Sequence, residues 1–324
     1  MKELTYAQAI RESLRHALQD DPSVILVGSG ITTGGDYGVT KDLADEFGTE
    51  RIVDTPTSEA STAGLALGLA MTGAQTIAEI KGCFLLRCMD TIANQIAVTD
   101  FMSNEQFGSS VIIRSDIGYA PFLGPQKAQS YEAMFCQIPG LTVVYPASPA
   151  DAAGLMNAAV QLQKPVLFLE NRMMYAQSGE VSDDTSYAVP IGKANVIREG
   201  SDVTLITYGP CVKICMNAAE KAQQEEIDCE VIDLRTLYPF DKETIVNSVK
   251  KTGKAIIVHE AHLTGGLGAE IAASIADSEA FDYLEAPIKR VCTQDTPIAY
   301  GSELFSKTSP HVQAVYDTIF ELTC

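Results

Sequence analysis

Basic residues are scarce in this chain. Its 324 residues set 23 Lys and Arg against 42 Asp and Glu, a formal net charge of -19. Phosphate backbones are held by clustered Lys and Arg; with no basic arm present, a nucleic-acid partner is excluded. Long apolar runs are also missing: none reaches the roughly 18 to 20 residues that a membrane span needs. The opening Met1-Lys2-Glu3-Leu4 leads straight into an amphipathic pattern without an apolar signal segment, so a cytoplasmic protein is expected. None of the eight cysteines stands in a Cys-x-x-Cys pair, and most lie in apolar stretches. Buried thiols of a reducing cytosol are the expectation, and no zinc site is.

Apolar residues make up 46% of the chain, enough to bury substantial cores, and the length suits two domains. Short apolar runs alternate with helical patterns. A helix is expected over 5–20, with Ala7, Ile10, Leu14 and Leu18 near one face, followed by a strand at Val24–Val27. Residues 58–71 form an almost wholly apolar helix with Ser58 as its N-cap. Strands at 75–80, 110–114, 141–145 and 165–170 are separated by helices near 84–102, 130–137 and 148–161. Continuous apolar strands alternating with helices indicate a parallel sheet covered on both faces. Turn chemistry between Gln177 and Lys193 marks a domain boundary. The alternation then resumes, with strands at 203–208, 229–233, 254–259 and 288–292 and helices at 211–225, 241–252 and 265–276. The fold class is therefore α/β, with two three-layer domains.

Several features invite chemistry. Gly28-Ser29-Gly30 and Gly266-Leu267-Gly268 each follow a strand, but neither completes the dinucleotide fingerprint, and ordinary strand-to-helix turns account for them better. His259-Glu260-Ala261-His262 is not H-E-x-x-H, and a strand points adjacent residues to opposite faces, so a hydrogen-bonded strand-end pair is expected there. The stretch Ser115–Gln129, rich in Gly and Pro and carrying Tyr119, Phe122 and Lys127, follows a buried strand, where such folds place sites. A solvated connection explains it equally well. Glu59 sits in the first turn of the apolar helix. Charge complement to the helix dipole is one reading. Partial desolvation beside apolar neighbours is the other, and the two oppose each other.

Many ordered stretches resemble the beta subunits of thiamine diphosphate-dependent 2-oxo acid dehydrogenases, the pyruvate, branched-chain and acetoin group. They include Phe47 through Pro56, Ser58-Glu59-Ala60, Met89-Asp90 with Asn94-Gln95, Gly124-Pro125-Gln126 and Ile138-Pro139-Gly140-Leu141. Asp233-Leu234-Arg235-Thr236-Leu237, Val258-His259-Glu260-Ala261, Gly265 through Glu270 and Asp295-Thr296-Pro297 complete the set. The resemblance implies a pyrimidine-binding domain over 1–185 and a transketolase-type C-terminal domain over 190–324. It implies that Glu59 hydrogen-bonds the cofactor's aminopyrimidine and favours the imino tautomer, whose nitrogen deprotonates the thiazolium carbon before attack on a 2-oxo acid. Phe84 and Gln126 join Glu59 as cofactor-lining residues, and Lys127 stands at a catalytic position.

The family holds the diphosphate and Mg2+ through a Gly-Asp-Gly motif on an alpha subunit. This chain has no Gly-Asp-Gly, so the resemblance implies an α2β2 heterotetramer, no metal ligands here, and docking to a lipoyl acyltransferase core. Three departures stand out. Lys127 replaces a family histidine, and lysine is normally protonated and a poorer proton shuttle. Lys81-Gly82-Cys83-Phe84 is shorter than the family segment and lacks its first ring, the one that packs on the pyrimidine in that family. Gly28-Ser29-Gly30 stands where Gly-Glu-Asp is usual. Beside acyl transfer to a lipoyl carrier, these departures leave two alternatives: a carboligating relative and a non-catalytic partner subunit.

Overall fold

Thr5 opens the first helix with a reciprocal cap. Its hydroxyl accepts from the Gln8 N–H at 3.2 Å, and the Gln8 side chain accepts from the Thr5 N–H at 2.9 Å, satisfying two donors the helix start leaves unpaired. The helix Tyr6–Asp20 then buries Ile10, Leu14 and Leu18. In this computed structural model, which describes residues 1–323, the chain divides into two units. One comprises Met1–Ile117 with Met134–Ile191. The other comprises Gly118–Ala133 with the chain from Gly192 onward.

Six strands of the first unit lie in the order Thr142–Val144, Val166–Asn171, Val111–Ile117, Gln75–Glu79, Val24–Gly28, Ile52–Asp54, and every neighbouring pair is parallel. Their continuous apolar character follows from burial on both faces. Tyr6, Ile10, Leu14, Leu26, Ile77, Ile112 and Phe168 belong to one core. Five strands of the second unit form a sheet in the order Lys289–Thr293, Ala255–His262, Val203–Thr207, Cys229–Asp233, Asn195–Arg198. The last is antiparallel to its neighbour, and the others pair in parallel. The α/β class follows from the alternation, with a parallel sheet in the first unit and a parallel sheet carrying one antiparallel edge strand in the second.

One expected element is corrected. Residues 84–102 do not form a single helix: a 3-10 stretch spans Gly82–Cys88, a short helical turn Met89–Thr91, a π turn Ile92–Ile96, and a short helix Thr99–Met102. The start is pinned where Gly82 donates its N–H to Asp116 Oδ1 at 2.9 Å. A Cβ at Gly82 would lie 2.0 Å from the Asp116 carbonyl oxygen, so the two backbones touch. The β-branched residues that follow, Thr91, Ile92, Ile96, Val98 and Thr99, weaken a continuous helix further. Ser58 is the N-cap of the helix Glu59–Met71, but its hydroxyl makes no cap bond; it reaches Ser61 Oγ at 3.0 Å.

The glycines at 266 and 268 have a packing explanation. Cβ atoms there would lie 2.6 Å from His259 Cε1 and 2.6 Å from His259 Nε2 respectively. The turn is built around an imidazole. Fully buried, His259 accepts the Gly268 N–H at Nε2, 3.1 Å. Its ring lies nearly parallel to Tyr208, 5.9 Å between centroids. Burial holds its pKa down to about 4. His262 instead pairs Nδ1 with the Gln294 carbonyl at 2.9 Å. Cys88, Cys211, Cys215, Cys229 and Cys292 are free thiols, and Cys324 lies outside the described residues.

Candidate cofactor site

In a parallel sheet, the chain leaves each strand at its carboxyl end. After Val24–Gly28 it crosses to Ile52–Asp54 on one side; after Gln75–Glu79 it crosses to Val111–Ile117 on the other. The gap between these two central strands is the topological switch point, where open α/β sheets bind ligands. A small recess lies there, lined by Ser29, Thr57, Glu59, Thr62, Glu79 and Lys81 among others. Ser29 and Thr57 come from the loops after two strands, Glu59 and Thr62 from the helix that follows, and Glu79 and Lys81 from the end of a third strand. The loops are tied together: Thr55 donates its N–H to the Gly28 carbonyl at 2.8 Å, and Thr32 donates N–H and hydroxyl to the Asp54 carboxylate, at 3.1 and 2.5 Å. Thr55 and Thr62 share a hydroxyl contact of 2.8 Å.

Glu59 is the first residue of the helix Glu59–Met71, so the unpaired N–H groups of the first turn favour its negative charge. The side chain is only 7% exposed, and its Oε2 is buried without a hydrogen bond. A buried polar atom left unpaired costs about 1–3 kcal/mol, so this oxygen is suited to an incoming donor. Arg87 brings Nη1 to 3.5 Å from it, supplying charge without a bond. The same guanidinium lies over the Phe84 ring, 4.4 Å from its centroid. Glu59, Arg87 and Phe84 thus form one chain of contacts.

A buried charge cluster stands beside the recess. Arg114, 2% exposed, donates from Nε and Nη2 to both oxygens of Glu170, at 2.7 and 2.9 Å, and from Nη1 to Glu79 at 2.9 Å. The Tyr175 hydroxyl donates to Glu170 at 2.7 Å. Burial pushes the Glu79 carboxyl above its usual range, against the pull of Arg114. Burial alone would lower the Arg114 pKa, but Glu170 and Glu79 outweigh it and raise it. Glu79 also lines a second small recess with Asp36, Tyr37, Arg114, Asp116 and Tyr175. There the Tyr37 hydroxyl donates to Asp116 at 3.2 Å, and burial beside that carboxylate raises its pKa to about 12.

Of the residues named from sequence, Glu59 and Phe84 lie in this unit and are linked through Arg87. Gln126 and Lys127 lie in the other unit, exposed on the one-turn helix Gly124–Lys127. Sequence reasoning missed Arg87, Glu79 and Arg114. Arg114 carried a signal, since a lone arginine inside Val-Ile-Ile-Arg-Ser must be paired if the strand is buried. Arg87 carried none.

An aminopyrimidine fits this donor set: it needs a carboxylate oxygen facing a ring nitrogen, and Glu59 Oε2 is buried with its bonding capacity open. Among the described residues no group of three or more His, Cys, Asp or Glu side chains is placed to hold a metal, and no helix is long and apolar enough to cross a membrane.

Residues 2–177 match the transketolase pyrimidine-binding domain and residues 192–315 the transketolase C-terminal domain. The chain is 40% identical to the mitochondrial pyruvate dehydrogenase E1 component subunit beta of Dictyostelium discoideum, over 99% of this chain and 92% of that protein. It is also 40% identical to pyruvate dehydrogenase E1 component subunit beta of Rickettsia conorii, over 98% and 97%. Mitochondrial 2-oxoisovalerate dehydrogenase subunit beta 2 of Arabidopsis thaliana is 40% identical over 94% and 85%. Among solved structures, a split-gene transketolase described as an inactive beta4 tetramer superposes with a TM-score of 0.80 at 22% identity, covering 99% of this chain and 98% of that one. At that identity the likeness concerns fold.

Proposed function

The chain belongs to the beta-subunit family of 2-oxo acid dehydrogenases, built from transketolase pyrimidine-binding and C-terminal domains, and from that premise we propose the division of labour at its site. The protein acts with an alpha subunit in an α2β2 assembly, decarboxylating a 2-oxo acid and passing the acyl group to a lipoyl carrier. Thiamine diphosphate supplies the nucleophilic carbon and the electron sink. On this reading the alpha subunit holds the diphosphate and Mg2+, while this chain receives the pyrimidine. A cytoplasmic setting suits the free thiols. Domain limits of 1–185 and 190–324 accompany the proposal.

The observation that carries the reading is the buried, hydrogen-bond-free Oε2 of Glu59 at the sheet's switch point. Glu59 accepts a hydrogen bond from the protonated ring nitrogen and so shifts a proton between the ring's two nitrogen positions. The helix start behind it stabilises the anion. Phe84, the ring that remains in the 81–84 segment, packs on the pyrimidine in place of the missing one, and Gln126 helps line the cofactor. Lys127, where the family has histidine, holds anionic substrate or product groups as a fixed positive charge rather than shuttling protons.

The test is decarboxylation by the assembled αβ complex carrying Glu59→Gln. A correctly placed acid–base group is worth about 10² to 10⁴ in rate, and a loss of that size is expected with the complex still assembled. Turnover equal to wild type would remove Glu59 from the chemistry.

A further inference from the structure

Arg87 meets both residues assigned to the pyrimidine. Its guanidinium carbon stands 4.4 Å from the centroid of the Phe84 ring, and its Nη1 faces Glu59 Oε2 at 3.5 Å. A guanidinium is flat, cationic, stacks on aromatic faces and donates N–H bonds in its own plane. An aminopyrimidine protonated at the ring nitrogen has all four properties. Granting that Glu59 and Phe84 receive that ring, we propose that Arg87 is its resident stand-in: in the empty subunit it covers the stacking face and neutralises the carboxylate, and it swings into solvent when the ring enters.

Three observations fit a group meant to leave. At 3.5 Å the pair is an ion pair and not a hydrogen bond, so Oε2 keeps its bonding capacity for another donor. The Arg87 side chain is 62% exposed while Glu59 is 7% exposed, so only the arginine has water to move into. The backbone beneath stays put, because Gly82 is pinned against Asp116 at the start of the 3-10 stretch. Exchange therefore needs only a change of side-chain rotamer.

The direction of the effect follows. An exposed ion pair and an exposed cation–π contact are each worth up to about fivefold in an equilibrium constant. A cofactor that must displace them binds more weakly, because the open form is only a fraction of the empty protein. Removing the guanidinium takes both contacts from the empty subunit and leaves Glu59 buried without counter-charge there, which destabilises that state alone and so tightens cofactor binding.

The experiment uses the assembled αβ complex, titrated with thiamine diphosphate and Mg2+ by calorimetry, with melting temperatures measured empty and loaded. In Arg87→Met, Kd is expected to fall about three- to tenfold. The empty complex should melt below wild type and the loaded complex at the wild-type temperature. Arg87→Lys keeps the charge but not the flat stacking group and should fall between. In a Glu59→Gln background the Arg87→Met gain should shrink, since no anion remains to release. An unchanged or higher Kd in both Arg87 variants, with decarboxylation still lost in Glu59→Gln, overturns the stand-in and leaves the ring assignment standing. Full decarboxylation in Glu59→Gln overturns the ring assignment itself, and the stand-in with it.

Discussion

At the scale of single residues, Arg114 is the strongest structural commitment near the site. It is buried and binds two carboxylates, Glu170 through both oxygens and Glu79 through one. Removing one partner of a buried ion pair leaves charge stranded and costs about 3–5 kcal/mol. Arg114→Met should lose that much stability in urea unfolding, and adding Glu170→Gln should restore part of it because one stranded carboxylate becomes neutral. An equal loss in single and double variants would mean that packing, and not charge, sets the cost. The sequence displayed Arg114 inside an apolar run, but its partners lie 35 and 56 residues away and became evident only with strand order. Glu59 was legible because helix start and apolar helix are both local patterns. Arg87 was not, since its meaning comes from a ring and a carboxylate on separate segments.

At the scale of elements, alternation and helical spacing gave most strands and helices to within a few residues. Very short strands escaped: Ile52–Asp54 and Asn195–Arg198 hold three and four residues, too few to show a period. The helix Val312–Thr323, with Val315 and Ile319 buried, also went unread, although its apolar spacing was there to find. The 82–102 segment failed for a different reason. Its course is set by a long-range backbone contact at Gly82, which no local propensity reports. Gly82→Ala tests this. A methyl group 2.0 Å from the Asp116 oxygen forces the segment away, at a cost of about 1–3 kcal/mol in urea unfolding. It should also weaken cofactor binding, because Phe84 rides on the displaced turn. Wild-type stability with wild-type cofactor affinity would show that the contact is not what shapes the segment.

At the scale of the whole molecule, the excess of acid over base sets solubility and partners, while response to pH depends on individual buried groups. His259 has a pKa of about 4 in the folded chain against 6.5 as its ordinary value, burial being the main cause. A depressed histidine binds its proton in the unfolded chain first. Its contribution is therefore complete above pH 6.5 and is lost as pH falls through about 4. The span corresponds to about 3 kcal/mol. Urea unfolding at pH 7, 5.5 and 4 should show that loss in the second unit, and His259→Gln should flatten it. The same slope in the variant would assign acid sensitivity to other groups.

The recess at the switch point is assembled around the loops that leave three separate strands. Each loop can lengthen, shorten or change residues without altering the register of the sheet beneath. The carboxylate rides on the helix that follows one of them, and the aromatic and cationic side chains on the 3-10 turn that follows another. The acid–base group and the groups that cover the ring thus sit on different pieces of chain, and a lineage can revise the second while inheriting the first.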